Sequence, residues 1–317
     1  MNGARAASVT IVEVGPRDGF QPIKRFIPTE RKIDFVRRLA ATGISRIEVG
    51  SFVSPAALPQ MSDIGMLLDA IRAGPHPELS VLVPNFRGAE LALAAGVENL
   101  VFVLSASETH NASNVRKTVT ASLDELTRLL SELRPAGRFR FNLATAFDCP
   151  FEGTTPLDNT VSIVERVLAL KPEAEICLCD TTGKAFPDQV SEAFQTCLDR
   201  FGHRPWAYHA HDTYGLGLAS TFAAYAAGVR VFDAAFGGLG GCPFAPGATG
   251  NVATEDVVFL FEKSGASTGV DLPKLLDVAA SAEEIEGGTV GGHIRVVRRL
   301  RRTLDRSTLA MDALLDA

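Results

Sequence analysis

Short runs rich in β-branched and apolar residues alternate with segments of helical period along most of the chain. The repeat is roughly 30 residues, the length of a βα unit. The pattern predicts strands at Val9 to Val14, Arg46 to Val49, Ser80 to Val83, Leu100 to Leu104, Phe139 to Ala144, Glu175 to Cys179, Trp206 to His211 and Val231 to Phe236. Between them, apolar positions recur at helical spacing near 29–41, 62–72, 87–95, 119–133, 156–170, 187–201, 216–227 and 253–264. Most of these segments open on Thr, Ser, Asp or Pro, which suit helix caps and first turns. Three junctions resemble one another: AATGIS (Ala40 to Ser45), LAAGVEN (Leu93 to Asn99) and YAAGVRV (Tyr225 to Val231). Each places a glycine where a helix should stop, which predicts a left-handed residue just past its end.

Eight strands in strict alternation with eight helices satisfy the crossover rules most simply as an α/β chain closed into a (β/α)8 TIM barrel. The barrel, expected to be the catalytic domain, spans 8–265. An open doubly wound sheet would call for a G-x-G-x-x-G turn after the first strand, and GPRDGF does not supply it. Residues 266–317 read as a C-terminal helical extension. It contains IRVVRRLRRTLDR, with six arginines from Arg295 to Arg306, which predicts a helix with a solvated basic face.

Composition narrows the class. The 317 residues are 46% hydrophobic and 21% charged, a globular balance, and 31 Lys and Arg against 37 Asp and Glu give a net charge of −6. An acidic surface gives no footing for nucleic acid, and no run of about 18 apolar residues predicts a membrane span. Five cysteines, at 149, 177, 179, 197 and 242, are odd in number and thinly spread, which predicts free thiols in a reducing compartment. MNGARAAS lacks the apolar core of a secretory signal, so a cytoplasmic protein is expected.

In a closed parallel barrel, reactive groups gather at the carboxyl ends of the strands. The first strand ends in EVGPRDG and delivers Glu13, Arg17 and Asp18 to that mouth. The second offers Glu48, the sixth Asp180, the seventh His209 and His211, and the loop after the eighth Cys242 and Asn251. His209 and His211 lie two apart on a strand and therefore share a face. With Asp18 and Asn251 they form a mixed nitrogen and oxygen set suited to a divalent metal cation, Mg2+ or Mn2+, with Zn2+ also admissible. Arg17 beside that set is placed to hold a developing enolate. Glu13 and Glu48 are both candidates to orient it. CLC (Cys177 to Cys179) reads as packing. GGLGGCPFAPGATGN (Gly237 to Asn251) reads as a glycine-rich lid whose thiol, Cys242, can carry a proton to the site.

EVGPRDGFQ, IEVGSFVSP, HAHDTYG and GGLGGCPFAPGATGN, in that order and spacing, resemble the hydroxymethylglutaryl-CoA lyase branch of the metal-dependent aldolase and Claisen-type barrels. The likeness runs from about Thr10 to Gly265. It implies Asp18, His209, His211 and Asn251 as metal ligands, and Arg17 as the guanidinium that steadies the enolate of the thioester. It also implies Cys242 as the residue that protonates that enolate, Glu48 as an acid in the site, and Asp180 as an acid near the substrate. The base is placed between His209 and Asp18. The implied reaction is cleavage of 3-hydroxy-3-methylglutaryl-CoA to acetyl-CoA and acetoacetate. The implied partner is an acyl-CoA substrate, and the implied assembly a homo-oligomer, commonly a dimer.

A lyase of citramalyl-CoA or of a longer-branched 3-hydroxyacyl-CoA would use the same residues, whereas RDG alone also fits condensing synthases of the isopropylmalate and homocitrate type. The synthases usually carry long additional carboxyl-terminal regions. A catalytically silent barrel would be expected to have a broken ligand set, whereas each ligand type is present. Two departures stand out. After the fourth strand the chain reads SASETHNASNVRKT, with His110 and Asn111 where the lyases carry an aromatic and a lysine before the asparagine. Phe236 stands where a smaller residue usually precedes the lid. Both are expected at the barrel mouth, where they would bear on the acyl group.

Overall fold

The computed structural model describes residues 8–241, 250–288 and 290–303, so Cys242 lies outside the described residues. Strands β1 (Thr10–Glu13), β2 (Arg46–Ser51), β3 (Glu78–Val83), β4 (Asn99–Ser105) and β5 (Phe139–Ala144) come first in the chain. A hairpin of β6 (Asp148–Cys149) and β7 (Gly153–Thr154) interrupts the series before β8 (Glu175–Asp180), β9 (Trp206–Ala210) and β10 (Val231–Ala234). All except the hairpin close into one parallel barrel in the order β1, β10, β9, β8, β5, β4, β3, β2. This is the expected (β/α)8 fold.

The outer layer follows the predicted periods closely. It comprises α1 (Thr29–Ala40), α2 (Ile64–Arg72), α3 (Phe86–Ala94), α5 (Val119–Glu132), α6 (Leu157–Leu170), α7 (Pro187–Phe201), α8 (Gly217–Ala227) and α9 (Thr254–Lys263). The additional α4 (Glu108–Val115) sits in the loop after β4, and α10 (Leu272–Ala280) and α11 (His293–Thr303) form the C-terminal extension. Side-chain caps fix several starts: Asn85 accepts from Gly88 N–H at 2.8 Å and Thr118 from Ala121 N–H at 3.1 Å. The three repeated junctions carry left-handed glycines, with φ of 91° at Gly43, 73° at Gly96 and 116° at Gly228.

The extension packs on the barrel, with α10 lying against α1 and α9. The Asp256 carboxylate accepts the first N–H groups of α11, from His293 at 2.7 Å and Ile294 at 2.9 Å, where a negative charge also complements the helix dipole. Among the described residues, no helix is long and apolar enough to cross a membrane.

Phe236 is not at the mouth. It is fully buried behind β1, its ring 5.0 Å from Phe35 and 6.0 Å from Phe20, in the apolar layer between barrel and helices. The eighth strand ends at Ala234, and the chain turns through a short 3-10 segment at Phe236–Gly238 that sends the ring outward. Its departure from the lyase pattern is therefore a packing change.

Candidate active site

The residues that reach the mouth do so by local chemistry. After β1 the chain winds one π-helical turn, Gly15–Gly19, in which the Val14 carbonyl accepts from the N–H groups of Arg17 at 3.1 Å and Asp18 at 2.7 Å. Both end glycines are required by close approach. A Cβ at Gly15 would lie 2.6 Å from the Phe236 ring, and one at Gly19 would lie 2.9 Å from the Leu239 Cβ. The tight turn carries Arg17 inward, where it is 5% exposed. It donates through Nε to Glu48 and through a terminal nitrogen to Asp18.

His209 lies on β9, with His211 directly beyond its end, and their ring centroids are 5.2 Å apart. Asn251 is 40 residues further along the chain. A bridge pairs it with His211, and Val252 N–H donates to the Ala210 carbonyl at 3.1 Å, which brings the returning chain back beside the strand. Asn251 Nδ2 donates to Asp18 Oδ2 at 2.7 Å, and His211 Nε2 is 3.8 Å from the same oxygen. One ligand atom each from Asp18, His209 and His211 lies within 4.8 Å of the others. Asn251 Oδ1 is buried with no hydrogen-bond partner among the described residues. A cluster of one carboxylate, two imidazoles and an idle amide oxygen fits a hard or borderline divalent cation.

Burial works against the charge on Asp18, but Arg17, with His211 and His209, holds its carboxyl well below the usual range. Burial likewise opposes the Arg17 guanidinium, and Asp18 and Glu48 more than offset it, so it stays charged. The sequence left Glu13 and Glu48 open as partners of Arg17, and the structure separates them. Glu48 is the partner. Glu13 Oε1 accepts from Gly15 N–H at 2.7 Å and Phe236 N–H at 3.0 Å, and Oε2 accepts from the Thr254 hydroxyl at 2.7 Å. Its burial pushes it up to about 7.

Asp180 stands at the end of β8, accepting from Lys184 N–H at 3.2 Å and Ala185 N–H at 3.1 Å, and burial raises its pKa. Cys177 and Cys179 are buried with sulfurs 3.8 Å apart, and the hydrogen bond with the Cys177 thiol, together with burial, raises Cys179 well above its ordinary value. His110 and Asn111 lie on α4. The His110 Nδ1 is 2.7 Å from the Ser105 hydroxyl at the end of β4, which puts the ring at the mouth. Asn111 is wholly buried. It accepts from Ser105 N–H at 2.9 Å and donates to the Lys117 carbonyl at 2.8 Å, so it braces the loop.

Sequence reasoning missed Asp233 and Arg140. Asp233 pairs with His209 in the register of β10 and β9, its Oδ2 3.1 Å from His209 Nδ1. Arg140 Nη2 lies 2.7 Å from each oxygen of Asp233. The available signal was an acid in VFDA and an arginine in FRFN, each inside a predicted strand.

Fold and site together define a (β/α)8 barrel with a candidate divalent-cation centre at the carboxyl ends of its strands. The HMGL-like family model matches residues 8–281, and the chain belongs to that family, as its motifs implied. Hydroxymethylglutaryl-CoA lyase of Bacillus subtilis is 41% identical over 280 residues, spanning 88% of this chain and 93% of the relative. (R)-citramalyl-CoA lyase of Chloroflexus aurantiacus is also 41% identical over 280 residues, 85% of this chain and 88% of the relative. The crystal structure of the Bacillus subtilis lyase superposes with a TM-score of 0.88 at 39% identity, covering 92% of this chain and 98% of that one. An HMG-CoA lyase of Acinetobacter baumannii, solved with coenzyme A and 3-methylmalate, gives 0.87 at 39% identity, covering 96% and 98%.

Proposed function

We propose that the protein is a carbon–carbon lyase that splits 3-hydroxy-3-methylglutaryl-CoA, or a close 3-hydroxyacyl-CoA, to acetyl-CoA and a keto acid by a retro-Claisen route. The observation that carries this reading is the meeting of Asp18, His209 and His211 beside a buried, doubly paired Arg17. Family membership and the coenzyme A bound to the Acinetobacter relative support an acyl-CoA substrate.

Asp18, His209, His211 and Asn251 would hold the divalent cation. When bound there, such a cation lowers the pKa of an alcohol and polarises a neighbouring carboxylate. The hydroxyl proton would go to one of two groups in the set, the Asp18 oxygen not given to the cation or His209. His209 can pass a proton only through Nδ1, toward Asp233. Arg17 meets the charge that moves onto the thioester oxygen as the C–C bond breaks, and Glu48 keeps the guanidinium from swinging away. Cys242 is the proposed donor of the proton that turns the enolate into acetyl-CoA.

A second reading has equal support from identity: the citramalyl-CoA lyase relative is as similar as the Bacillus lyase. Cleavage of that shorter acyl group gives pyruvate in place of acetoacetate, with the same roles for the same residues. A panel of 3-hydroxyacyl-CoA thioesters, assayed for acetyl-CoA with Mg2+, Mn2+ or a chelator, tests both. At least one member should be split, and only with cation present. Failure of every member, or cleavage indifferent to chelation, contradicts the proposal.

A further inference from the structure

Beneath the mouth, a line of buried charges crosses the barrel interior. Arg46 on β2 donates twice to Glu175 on β8, at 2.9 and 2.8 Å. Glu175 lies 3.4 Å from Arg140 on β5, and Arg140 grips both oxygens of Asp233 on β10. Asp233 ends the line at His209. Arg140, Glu175 and Asp233 are each no more than 2% exposed. Such a network is poor as a stabilising device, because removing several ions from water offsets most of their mutual attraction. Its position directly under one arm of the candidate cation centre suggests a different use.

The geometry restricts His209. Both Asp233 oxygens are engaged by Arg140, so the carboxylate cannot rotate without losing a contact, and Oδ2 stays aimed at His209 Nδ1. Arg140 Nε donates to Asn142 Oδ1 at 2.8 Å, which holds the guanidinium in turn. An ionised carboxylate only accepts, so the proton between these atoms belongs to Nδ1. In the neutral ring Nε2 is then left with its lone pair, the form an imidazole must take to bind a cation.

We propose that Asp233, clamped by Arg140, is a positioning residue that fixes His209 as the Nδ1–H tautomer and so sets the affinity of the centre for a divalent cation. This rests on the metal-centre reading above. Neither residue touches the reacting atoms. Arg140 acts through Asp233, and Asp233 acts through His209.

Two readouts on the full-length, metal-free protein test it: the His209 tautomer by long-range 15N–1H NMR, assigned with His209→Ala, and Mn2+ affinity by electron paramagnetic resonance. The unaltered protein should show Nδ1–H. Asp233→Asn should lose that preference and weaken Mn2+ binding about 10- to 100-fold. Arg140→Gln/Asp233→Asn replaces the ion pair by a neutral one, which guards against unfolding, and should show the same weakening. Equal Mn2+ affinity in a folded variant, or an Nε2–H tautomer in the unaltered protein, overturns the inference. If the unaltered protein binds no Mn2+, the metal reading itself fails, and the tautomer measurement still judges the Asp233 contact separately.

Discussion

Replacing Arg17 with glutamine separates what the guanidinium does for the reaction from what it does for the fold. Arg17 is almost wholly buried between Glu48 and Asp18, so the site holds a fixed cation with little water to replace it. Loss of one preorganised group aimed at developing negative charge lowers kcat about 10²- to 10³-fold, or roughly 3–4 kcal/mol. Because that charge is absent from the bound substrate, kcat and kcat/KM should fall together. A second effect is independent of chemistry. Glu48 is fully buried, and without Arg17 its carboxylate is stranded, a change that costs about 3–5 kcal/mol of stability. Initial rates of acetyl-CoA release at saturating substrate report the first effect, and urea midpoints report the second. The pair Arg17→Gln/Glu48→Gln removes both charges, so it should regain most of the stability while kcat stays low. Recovery of kcat with stability in the double variant would refute the assignment of Arg17 to the reacting charge.

Glu13 gives a pH signature. Its folded-state pKa is raised to about 7 from 4.5, so its contribution to stability is full below about pH 4.5 and is lost as pH rises toward 7. Glu13→Gln keeps an oxygen for Gly15 and Phe236 and offers N–H to Thr254. Relative to the unaltered protein it should gain up to about 3 kcal/mol between pH 5 and 8 in urea titrations, and a flat difference would contradict that. Phe236→Ala should cost about 3–5 kcal/mol of stability and leave the choice between thioesters unchanged, since the ring lies in the outer core. A changed substrate ratio would return Phe236 to the mouth. His110→Phe exchanges a polar ring at the mouth for an apolar one and should shift the ratio of kcat/KM for hydroxymethylglutaryl-CoA over citramalyl-CoA about 10- to 100-fold. An unchanged ratio would place the ring outside the acyl pocket.

The barrel was readable because its information is local: period, caps and helix-ending glycines each act within a few residues. The ligand set was readable in part for the same reason, since HxH on one strand names a face and RDG just past the end of another names a mouth. Partner choice inside the barrel was not. Whether Arg17 meets Glu13 or Glu48 depends on a π-helical turn that no apolar period encodes, and on where β2 falls against it. Arg140 and Asp233 pair across the barrel through closure and register, 93 residues apart, and each looks locally like an isolated polar interruption in an apolar strand. Phe236 was misplaced because the end of β10 was read two residues late, at a point where the 3-10 turn reverses the side chain.

The cation centre is tested most directly by diffraction from a crystal of the protein soaked in Mn2+, with data collected at the manganese absorption edge. A single strong anomalous peak is expected at the barrel mouth, about 2.0–2.3 Å from a carboxylate oxygen of Asp18, one ring nitrogen each of His209 and His211, and the amide oxygen of Asn251. A mouth without anomalous density, or manganese bound elsewhere while these four side chains keep their contacts with one another, contradicts it.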